Sequence, residues 1–263
     1  MSETLKAYYR RNNLLTISAD SKTVKGEKLG YLTGILYLSP YKLSGKNYCS
    51  HATEGCIFGC LNTAGRGQMD FTQEARLKRS LFLNLHKEAF MLELYRRIQN
   101  MIKLAEKKNL IPCIRLNGTS DLRFENLKFN FNGKKRTLIQ IFRTCQFYDY
   151  TKFPLETGRW DKLPNNYDLT FSLAETNSNR KEALKLLQVG KRIAAVYDHK
   201  KDLPEYQIFN YNGKSYKFPV IDADSSDLRF NDAGSVICGL KAKGKAKKDT
   251  SGFVLHNNII TIN

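Results

Sequence analysis

The positions of the cysteines constrain this chain more than any other feature. Three of the six cysteines lie in one short segment with the spacing Cys-x6-Cys-x3-Cys, at Cys49, Cys56 and Cys60. The N-terminus has no apolar signal core, so we expect a cytoplasmic protein, and in a reducing compartment these cysteines do not form a disulfide framework. Three thiols so close in sequence predict a loop that folds around one metal centre.

Two kinds of metal centre fit this loop, and its residues leave both open. Zinc binds four ligands, and His51 would complete a Cys3His site, although the loop lacks the paired knuckles of a zinc finger. An iron–sulfur cubane held by three cysteines leaves one iron free for a further ligand. Gly55 and Gly59 each precede a cysteine and let the backbone approach the centre closely. The alternative, three reduced and buried thiols, is disfavoured because the loop is polar and contains glycine.

The remaining cysteines stand alone in the sequence, at Cys113, Cys145 and Cys238. They lie in apolar stretches, such as residues 111–114 and 236–239. A free cysteine in such surroundings packs as a small hydrophobic residue. We therefore predict that these three cysteines belong to the core.

Strand and helix patterns alternate along the chain. Residues 31–38 predict a strand, and residues 72–108 predict one long helix or two in succession, because Leu and Ile recur there at spacings of four or five without Gly or Pro. Further strands are predicted at 111–116, 145–150, 168–173, 192–197, 218–221 and 235–240, with a helix at 180–189 and a short helix or strand at 138–142. Such alternation is typical of an α/β fold with a largely parallel sheet. The strands are too few for a complete eight-fold barrel, so we expect a partial (β/α) barrel.

The chain is predicted to be one α/β domain, residues 29–263, preceded by a polar N-terminal arm, residues 1–28. Asn212-Gly213 indicates a β-hairpin insertion over 206–219. The cysteine loop is taken as residues 49–67, and a lysine-rich segment covers 241–248.

The charge predicts a polyanionic partner. The chain carries 43 Lys and Arg against 25 Asp and Glu, a formal net charge of +18. This excess favours nucleic acid as the partner, although a basic protein kept soluble by its charge is the alternative. Apolar residues make up 41%, which excludes wholesale disorder, and no apolar run is long enough for a membrane span.

The lysine-rich segment places lysines at alternate positions. On a strand these side chains would share one face, with small residues between them that let a phosphate backbone approach. A solvated edge strand kept from aggregating by lysine is the alternative. The candidate nucleic-acid contacts are Lys241, Lys243, Lys245, Lys247, Lys248 and Arg66.

An aromatic segment, residues 147–152, could stack bases. It also resembles the Tyr-plus-Lys segments in which a tyrosine attacks a DNA phosphodiester. That reaction needs a metal site with paired histidines, and the four histidines of this chain are not paired, so a nuclease of that kind is disfavoured.

One pentapeptide, Ser-Asp-Leu-Arg-Phe, occurs twice, at 120–124 and 226–230. Each copy follows a predicted strand, and in parallel α/β folds the loops after the strands form the functional face. Asp121 and Asp227 are therefore candidate functional residues. The alternative is a recurring turn in which the aspartate caps the next helix and the arginine pairs with it.

A three-cysteine loop directly after the first strand of a partial barrel resembles the arrangement in radical-SAM enzymes. More closely, the chain resembles a group of phage-borne, radical-SAM-like proteins known only as numbered gene products. That group shares the Cys-x6-Cys-x3-Cys loop, a polar stretch after the second strand and an aromatic-Tyr-Thr-Lys or Arg segment. The matching stretches are Cys49–Gly67, Arg115–Asp121 and Phe147–Lys152. The resemblance spans about residues 29–255. If the chain is encoded by a phage, the resemblance implies that the protein is found in the cytoplasm of the host cell.

The resemblance implies a [4Fe–4S] cluster whose open iron binds S-adenosylmethionine. The loop departs from the usual C-x3-C-x2-C spacing and has Gly59 where an aromatic residue is common. The implied cluster ligands are Cys49, Cys56 and Cys60; the implied nucleoside contacts are Asn117, Gly118, Ser172 and Glu175; the residues implied to face the substrate are Asp121, Asp227 and Tyr148.

Three functions follow as hypotheses. The first is a radical-SAM-like iron–sulfur enzyme that acts on or binds nucleic acid. The second is a DNA-processing protein, a replication initiator or nuclease, whose metal loop is structural. The third is a non-catalytic nucleic-acid-binding protein stabilised by zinc.

Overall fold

The protein has a mixed α/β architecture with a large, mostly parallel sheet and helices. A computed structural model describes residues 13–17 and 21–263. Two compact units are present: the first comprises Met1–Ser50, Gln68–Asp149 and Pro164–Asp168, and the second His51–Gly67, Tyr150–Leu163 and Leu169–Asn263. In the described ranges, none of the helices has the length and apolar character that crossing a membrane requires.

The helices, in chain order, are α1 (Ser21–Lys28), α2 (Glu54–Phe58), α3 (Asp70–Leu85), α4 (Lys87–Lys107), α5 (Leu138–Ile141) and α6 (Asn177–Gln188). The strands are β1 (Leu15–Ile17), β2 (Tyr31–Leu36), β3 (Ile111–Arg115), β4 (Phe129–Phe131), β5 (Lys134–Arg136), β6 (Gln146–Thr151), β7 (Tyr167–Ser172), β8 (Ile193–Tyr197), β9 (Tyr206–Tyr211), β10 (Lys214–Asp222), β11 (Ile237–Lys241), β12 (Val254–Leu255) and β13 (Ile259–Ile262).

In the first unit, β2, β3 and β6 pair in parallel and in chain order. β1 adds to β2 in the antiparallel direction. Helix α4 buries one apolar stripe, because Phe90, Leu94 and Ile98 recur at helical spacing and are each fully buried. This stripe forms much of the core of the unit.

The stretch predicted to be one long helix or two in succession, residues 72–108, contains two helices. His86 ends α3 and precedes α4, with φ −138° and ψ 52°, which is outside the helical region. The apolar spacing continues on both sides of His86, which is why the sequence pattern alone does not separate one helix from two.

In the second unit, β7, β8, β11 and β10 follow one another in parallel. The predicted hairpin is present: β9 and β10 are antiparallel, and Asn212 and Gly213 both have positive φ, as their tight turn requires. β10 continues to Asp222 and pairs with β11, so the hairpin is joined to the sheet through its second strand. Strand β13 pairs with β9, and β12 with β8.

Two further elements were not predicted. Asn132 and Gly133, both at positive φ, close a hairpin between β4 and β5, with the same Asn-Gly turn as the hairpin between β9 and β10. The predicted polar arm contains β1 and α1, and Leu14 and Leu15 are buried. Residues 1–12 and 18–20 of that arm lie outside the described residues.

The prediction of a strand through the lysine-rich segment is wrong. Strand β11 ends at Lys241, and residues Gly244–Lys248 form a 3₁₀ helix. Gly244 has φ +55°, a left-handed conformation that ends an extended chain and that glycine adopts without strain. Alternate lysines therefore do not share one strand face.

The apolar stripe of α4 can be tested by truncation. Leu94→Ala removes a fully buried side chain and is expected to lower the free energy of unfolding by about 2–5 kcal/mol. The control is Leu104→Ala on the same helix, where the side chain is 37% exposed. Denaturant unfolding of both variants measures the difference, and equal losses would contradict the assignment of the core face.

Candidate functional site

The six cysteines fall into two classes. Cys49, Cys56 and Cys60 are partly exposed and free of disulfides, whereas Cys113, Cys145 and Cys238 are buried. Burial raises the pKa of the Cys145 and Cys238 thiols to about 11. The prediction that the isolated cysteines belong to the core is confirmed.

Cys49 belongs to the first unit and lies beside the segment that follows β3. Its Sγ accepts a hydrogen bond from the Tyr41 N–H at 3.4 Å, and its thiol donates to the Thr119 carbonyl at 3.8 Å. The Asp121 N–H donates to the Tyr48 carbonyl at 2.8 Å. The first loop cysteine is therefore next to residues 117–121, the stretch that the resemblance assigns to the nucleoside.

The Asn117 side chain shapes this segment from within. Its amide oxygen accepts from the Ser120 hydroxyl at 2.9 Å and the Leu122 N–H at 2.8 Å. Its amide nitrogen donates to the Leu122 carbonyl and to Asp149 Oδ2, both at 3.0 Å. An amide side chain offers two donors and two acceptor lone pairs, so these four bonds use its whole capacity. Asn117 therefore orders residues 117–122, and its side chain has no hydrogen-bonding capacity left for a ligand.

Gly118 is required by packing. A Cβ at this position would lie 2.6 Å from Tyr37 Cδ1 and 2.7 Å from the Ile35 side chain. The glycine lets the segment lie directly on the end of β2, whether or not a ligand is bound.

Asp149 is an organising residue that the sequence analysis missed. Its buried carboxylate accepts from the Asn117 N–H at 2.7 Å, from the Asn117 amide at 3.0 Å and from the Tyr167 hydroxyl at 2.9 Å. An acidic residue inside an aromatic strand is a signal for such a network, since buried carboxylates are nearly always paired. Its neighbour Tyr148 is 1% exposed, so this candidate substrate-facing phenol is buried.

Cys56 belongs to the second unit and lies on α2. Thr53 caps this helix, and its hydroxyl accepts from the Cys56 N–H at 3.3 Å. The Glu175 carboxylate then accepts from the Thr53 hydroxyl at 2.7 Å and from the Gly55 N–H at 2.9 Å. Glu175 lies just after β7, so it fixes the start of the cysteine helix to that strand, whereas the resemblance assigned it a ribose contact.

The loop glycines let α2 approach the protein core. A Cβ on Gly55 would lie 2.9 Å from Glu175 Cδ, and one on Gly59 would lie 3.1 Å from the Phe253 ring. Cys56 packs against a cluster formed by Ala174, Ala242, Ala246, Phe253 and Val254. The sequence predicts that these glycines let the backbone approach a metal centre; the close contacts in the described residues are instead with this cluster and with Glu175.

Cys60 precedes a 3₁₀ turn, Leu61–Thr63, and its Sγ accepts from the Asn62 N–H at 3.5 Å. Cys49 accepts a comparable bond from Tyr41. Backbone N–H donors to sulfur stabilise a thiolate and tune metal-bound sulfur. His51, the candidate fourth zinc ligand, packs against the Phe153 ring with 4.3 Å between centroids.

Ser172 pairs with a buried lysine. The Lys152 ammonium, at the end of the aromatic segment, donates to Ser172 Oγ at 2.6 Å and lies 5.7 Å from the centroid of the Phe253 ring. Phe253 also contacts the cysteine loop through Gly59. Ser172 is thus in the same neighbourhood as Cys56, with a positive charge beside it.

The repeated pentapeptide forms two similar turns, one in each unit. Phe124–Asn126 and Arg229–Asn231 are both 3₁₀ turns. Arg229 is buried, with Nη1 3.1 Å from Asp232 Oδ2, and Asp227 accepts from the Tyr150 hydroxyl at 3.3 Å. In the first unit Arg123 pairs with Glu125 at 3.3 Å. The turn recurs as the alternative predicts, but neither 3₁₀ turn has a side-chain cap, and each arginine pairs with an acidic residue that follows the pentapeptide.

The three loop thiols match the donor set of a sulfur-ligated centre. Cys49 lies in the first unit, and Cys56 and Cys60 lie in the second. Within residues 13–17 and 21–263, no group of three or more His, Cys, Asp and Glu side chains is arranged to hold a metal ion. The number of thiols, their partial exposure and the N–H bonds to two of the sulfurs fit three-cysteine ligation.

Comparison with known proteins identifies the family. Residues 7–257 match the family described as gene product 88. The chain belongs to the gene product 88 family. This match fits the expected group of numbered gene products, and the family's description carries no chemistry. Searches of curated proteins and of solved structures found no match.

The two classes of cysteine predict a pattern of alkylation. At about pH 8, a thiol with pKa near 11 is ionised in roughly one molecule in a thousand. In folded, metal-free protein, iodoacetamide is expected to modify the loop cysteines and spare Cys145 and Cys238. Peptide mass spectrometry measures the rates, with urea-unfolded protein as the control. Equal modification of Cys145 and Cys56 in the folded protein would contradict the two classes.

The Glu175 contacts predict a loss of stability in the loop. Glu175→Ala leaves the Thr53 hydroxyl and the Gly55 N–H without their acceptor, and is expected to cost about 1–3 kcal/mol. Glu156→Ala, at an exposed position of the same unit, is the control. Denaturant unfolding and limited proteolysis at residues 51–67 report the change, and a Glu175 variant as stable as the control would refute the anchoring role.

Proposed function

We propose that this protein is a radical-SAM-like iron–sulfur protein that acts on or binds nucleic acid. The observation that carries the proposal is the set of three partly exposed, disulfide-free thiols in the Cys-x6-Cys-x3-Cys loop. The three buried cysteines serve the core, so only the loop cysteines are suited to ligation.

The placement of the loop supports this function. In the first unit Cys49 contacts the segment after β3, and in the second unit the start of the helix that carries Cys56 is fixed to Glu175, after β7. Both contacts lie beyond the carboxyl ends of parallel strands, the edge where α/β folds bind ligands. The parallel strands run in chain order in the first unit, whereas in the second unit β11 lies between β8 and β10; the parallel β2–β3–β6 and β7–β8 pairings support the proposal of a partial (β/α) barrel.

A cluster suits these residues better than zinc. A closed zinc site needs a fourth ligand, and the candidate His51 packs against Phe153. A [4Fe–4S] cluster held by three cysteines keeps one iron open, and with S-adenosylmethionine bound there it would supply radical chemistry. In this proposal Gly118 of the first unit and Ser172 of the second remain the candidate nucleoside contacts, while Asn117 and Glu175 each order the segment of their own unit.

The tyrosine-nucleophile alternative has weaker support. Tyr148 is 1% exposed in β6, and the Tyr150 hydroxyl donates to Asp227 at 3.3 Å. A phenol that attacks a phosphodiester must reach a bulky substrate, and neither side chain is presented in that way.

Metal analysis of anaerobically purified protein tests the proposal. About four iron atoms and four sulfides per chain are expected. Single Cys49→Ala, Cys56→Ala and Cys60→Ala variants are expected to lose the cluster. The matched control, Cys113→Ala, removes a buried thiol and should retain it. Colourless protein with one zinc per chain, or equal iron loss in the control, would contradict the proposal.

A further inference from the structure

The lysine-rich segment is built onto the cysteine loop. We call residues 241–248 the basic turn. Ala242 and Ala246 are buried in the same cluster as Phe253, against which Cys56 packs. The small residues between the lysines thus point into the protein and hold the turn in place beside the loop.

Backbone contacts join the two segments further. The Lys245 N–H donates to the Thr63 hydroxyl at 3.4 Å. A Cβ on Gly244 would lie 2.7 Å from the Thr63 carbonyl oxygen, and one on Gly59 would lie 3.2 Å from Ala246 Cβ. Glycine at both positions lets the basic turn and residues 59–64 pack against each other as one surface.

Most of the charge on the basic turn is not neutralised. Lys243 pairs with Asp224 at 2.7 Å, and Asp224 also accepts from the Lys241 N–H at 2.8 Å. Among residues 13–17 and 21–263, no acidic side chain forms an ion pair with the other ammonium groups, those of Lys241, Lys245, Lys247 and Lys248. Arg66 is exposed three residues after Thr63 and adds a further cation to the loop.

Two acidic residues, Asp249 and Glu54, lie near the basic turn. The Asp249 carboxylate is buried and accepts from the Ser251 hydroxyl at 2.7 Å and the Val254 N–H at 2.9 Å. Glu54 is exposed and lines a shallow recess with Lys248 and Phe58. Phe58 lies between Cys56 and Cys60 in the loop and is 45% exposed.

We propose that a nucleic-acid strand binds with its phosphate backbone along the basic turn and Arg66, and with a base on Phe58, beside the loop cysteines. Exposed cations next to an exposed aromatic ring are the chemistry that binds single strands, because ammonium groups contact phosphates and a base stacks on the ring. The strand is then the substrate of the cysteine-loop centre, an assignment that rests on the proposed function. An acidic protein segment would pair with these lysines and Arg66 but would have no base to stack on the Phe58 ring.

Salt-dependent binding tests the surface. With labelled single-stranded DNA and RNA, the Lys245→Ala, Lys247→Ala, Lys248→Ala triple variant should lose about two units of the slope of log affinity against log salt. A triple variant on exposed lysines of the first unit, Lys103→Ala, Lys107→Ala and Lys134→Ala, removes the same charge and should leave most of that slope. Lys243→Ala, whose charge Asp224 already pairs, should also change it little. Equal slopes for the two triple variants would overturn the proposal.

Crosslinking tests the position of the base. A strand with a photoreactive pyrimidine should crosslink within residues 54–66, and Phe58→Ala should weaken binding several-fold, whereas exposed Leu61→Ala should have little effect. Crosslinks confined to the first unit, or equal competition by a poly-glutamate peptide, would overturn the proposal. Binding is measured on both metal-free and iron-loaded protein. If the purified protein contains no iron, the cluster is refuted, and the binding measurements still test the nucleic-acid surface on its own.

Discussion

The Glu175 carboxylate holds the cysteine helix in place, and the candidate site depends on this interaction. It accepts from the Thr53 hydroxyl and the Gly55 N–H, and so supplies an anionic group to the first turn of α2. Because Glu175 lies three residues after the end of β7, the position of the helix that carries Cys56 is tied to the sheet of the second unit. Phe253 and Ala246 then pack against Gly59, where an added Cβ would lie 3.1 Å from the Phe253 ring and 3.2 Å from Ala246 Cβ, a tight contact that requires the neighbours to shift.

The first unit uses the same principle with a different acid. Asp149 on β6 holds the backbone and side chain of Asn117, and Asn117 in turn closes the segment that contacts Cys49. In both units a carboxylate orders a loop at the end of a parallel strand, and in both the loop is a neighbour of a cysteine. Carboxylates with this role are positioning groups, so their removal should disturb the loop before it disturbs any chemistry.

Local patterns predicted much of this structure. The apolar spacing around Leu94, the turn at Asn212-Gly213 and the apolar settings of the isolated cysteines each indicated the element that is present. Long-range pairing was not predictable: Asp149 and Asn117 are distant in sequence, and a single acid in a strand is equally consistent with a solvated face. The basic turn was misjudged because alternate lysines suggest a strand, whereas the conformation of Gly244 and the burial of Ala242 and Ala246 decide its shape. The family match covers nearly the whole chain, yet the chemistry must be argued from the loop.

We propose that the three loop thiols hold one iron–sulfur cluster with an open iron. Electron paramagnetic resonance of the reduced, anaerobically purified protein, recorded before and after addition of S-adenosylmethionine, tests it most directly. We expect a cluster signal that S-adenosylmethionine changes, because this ligand would bind the iron that lacks a cysteine. Protein that carries zinc and shows no iron-dependent signal would contradict it.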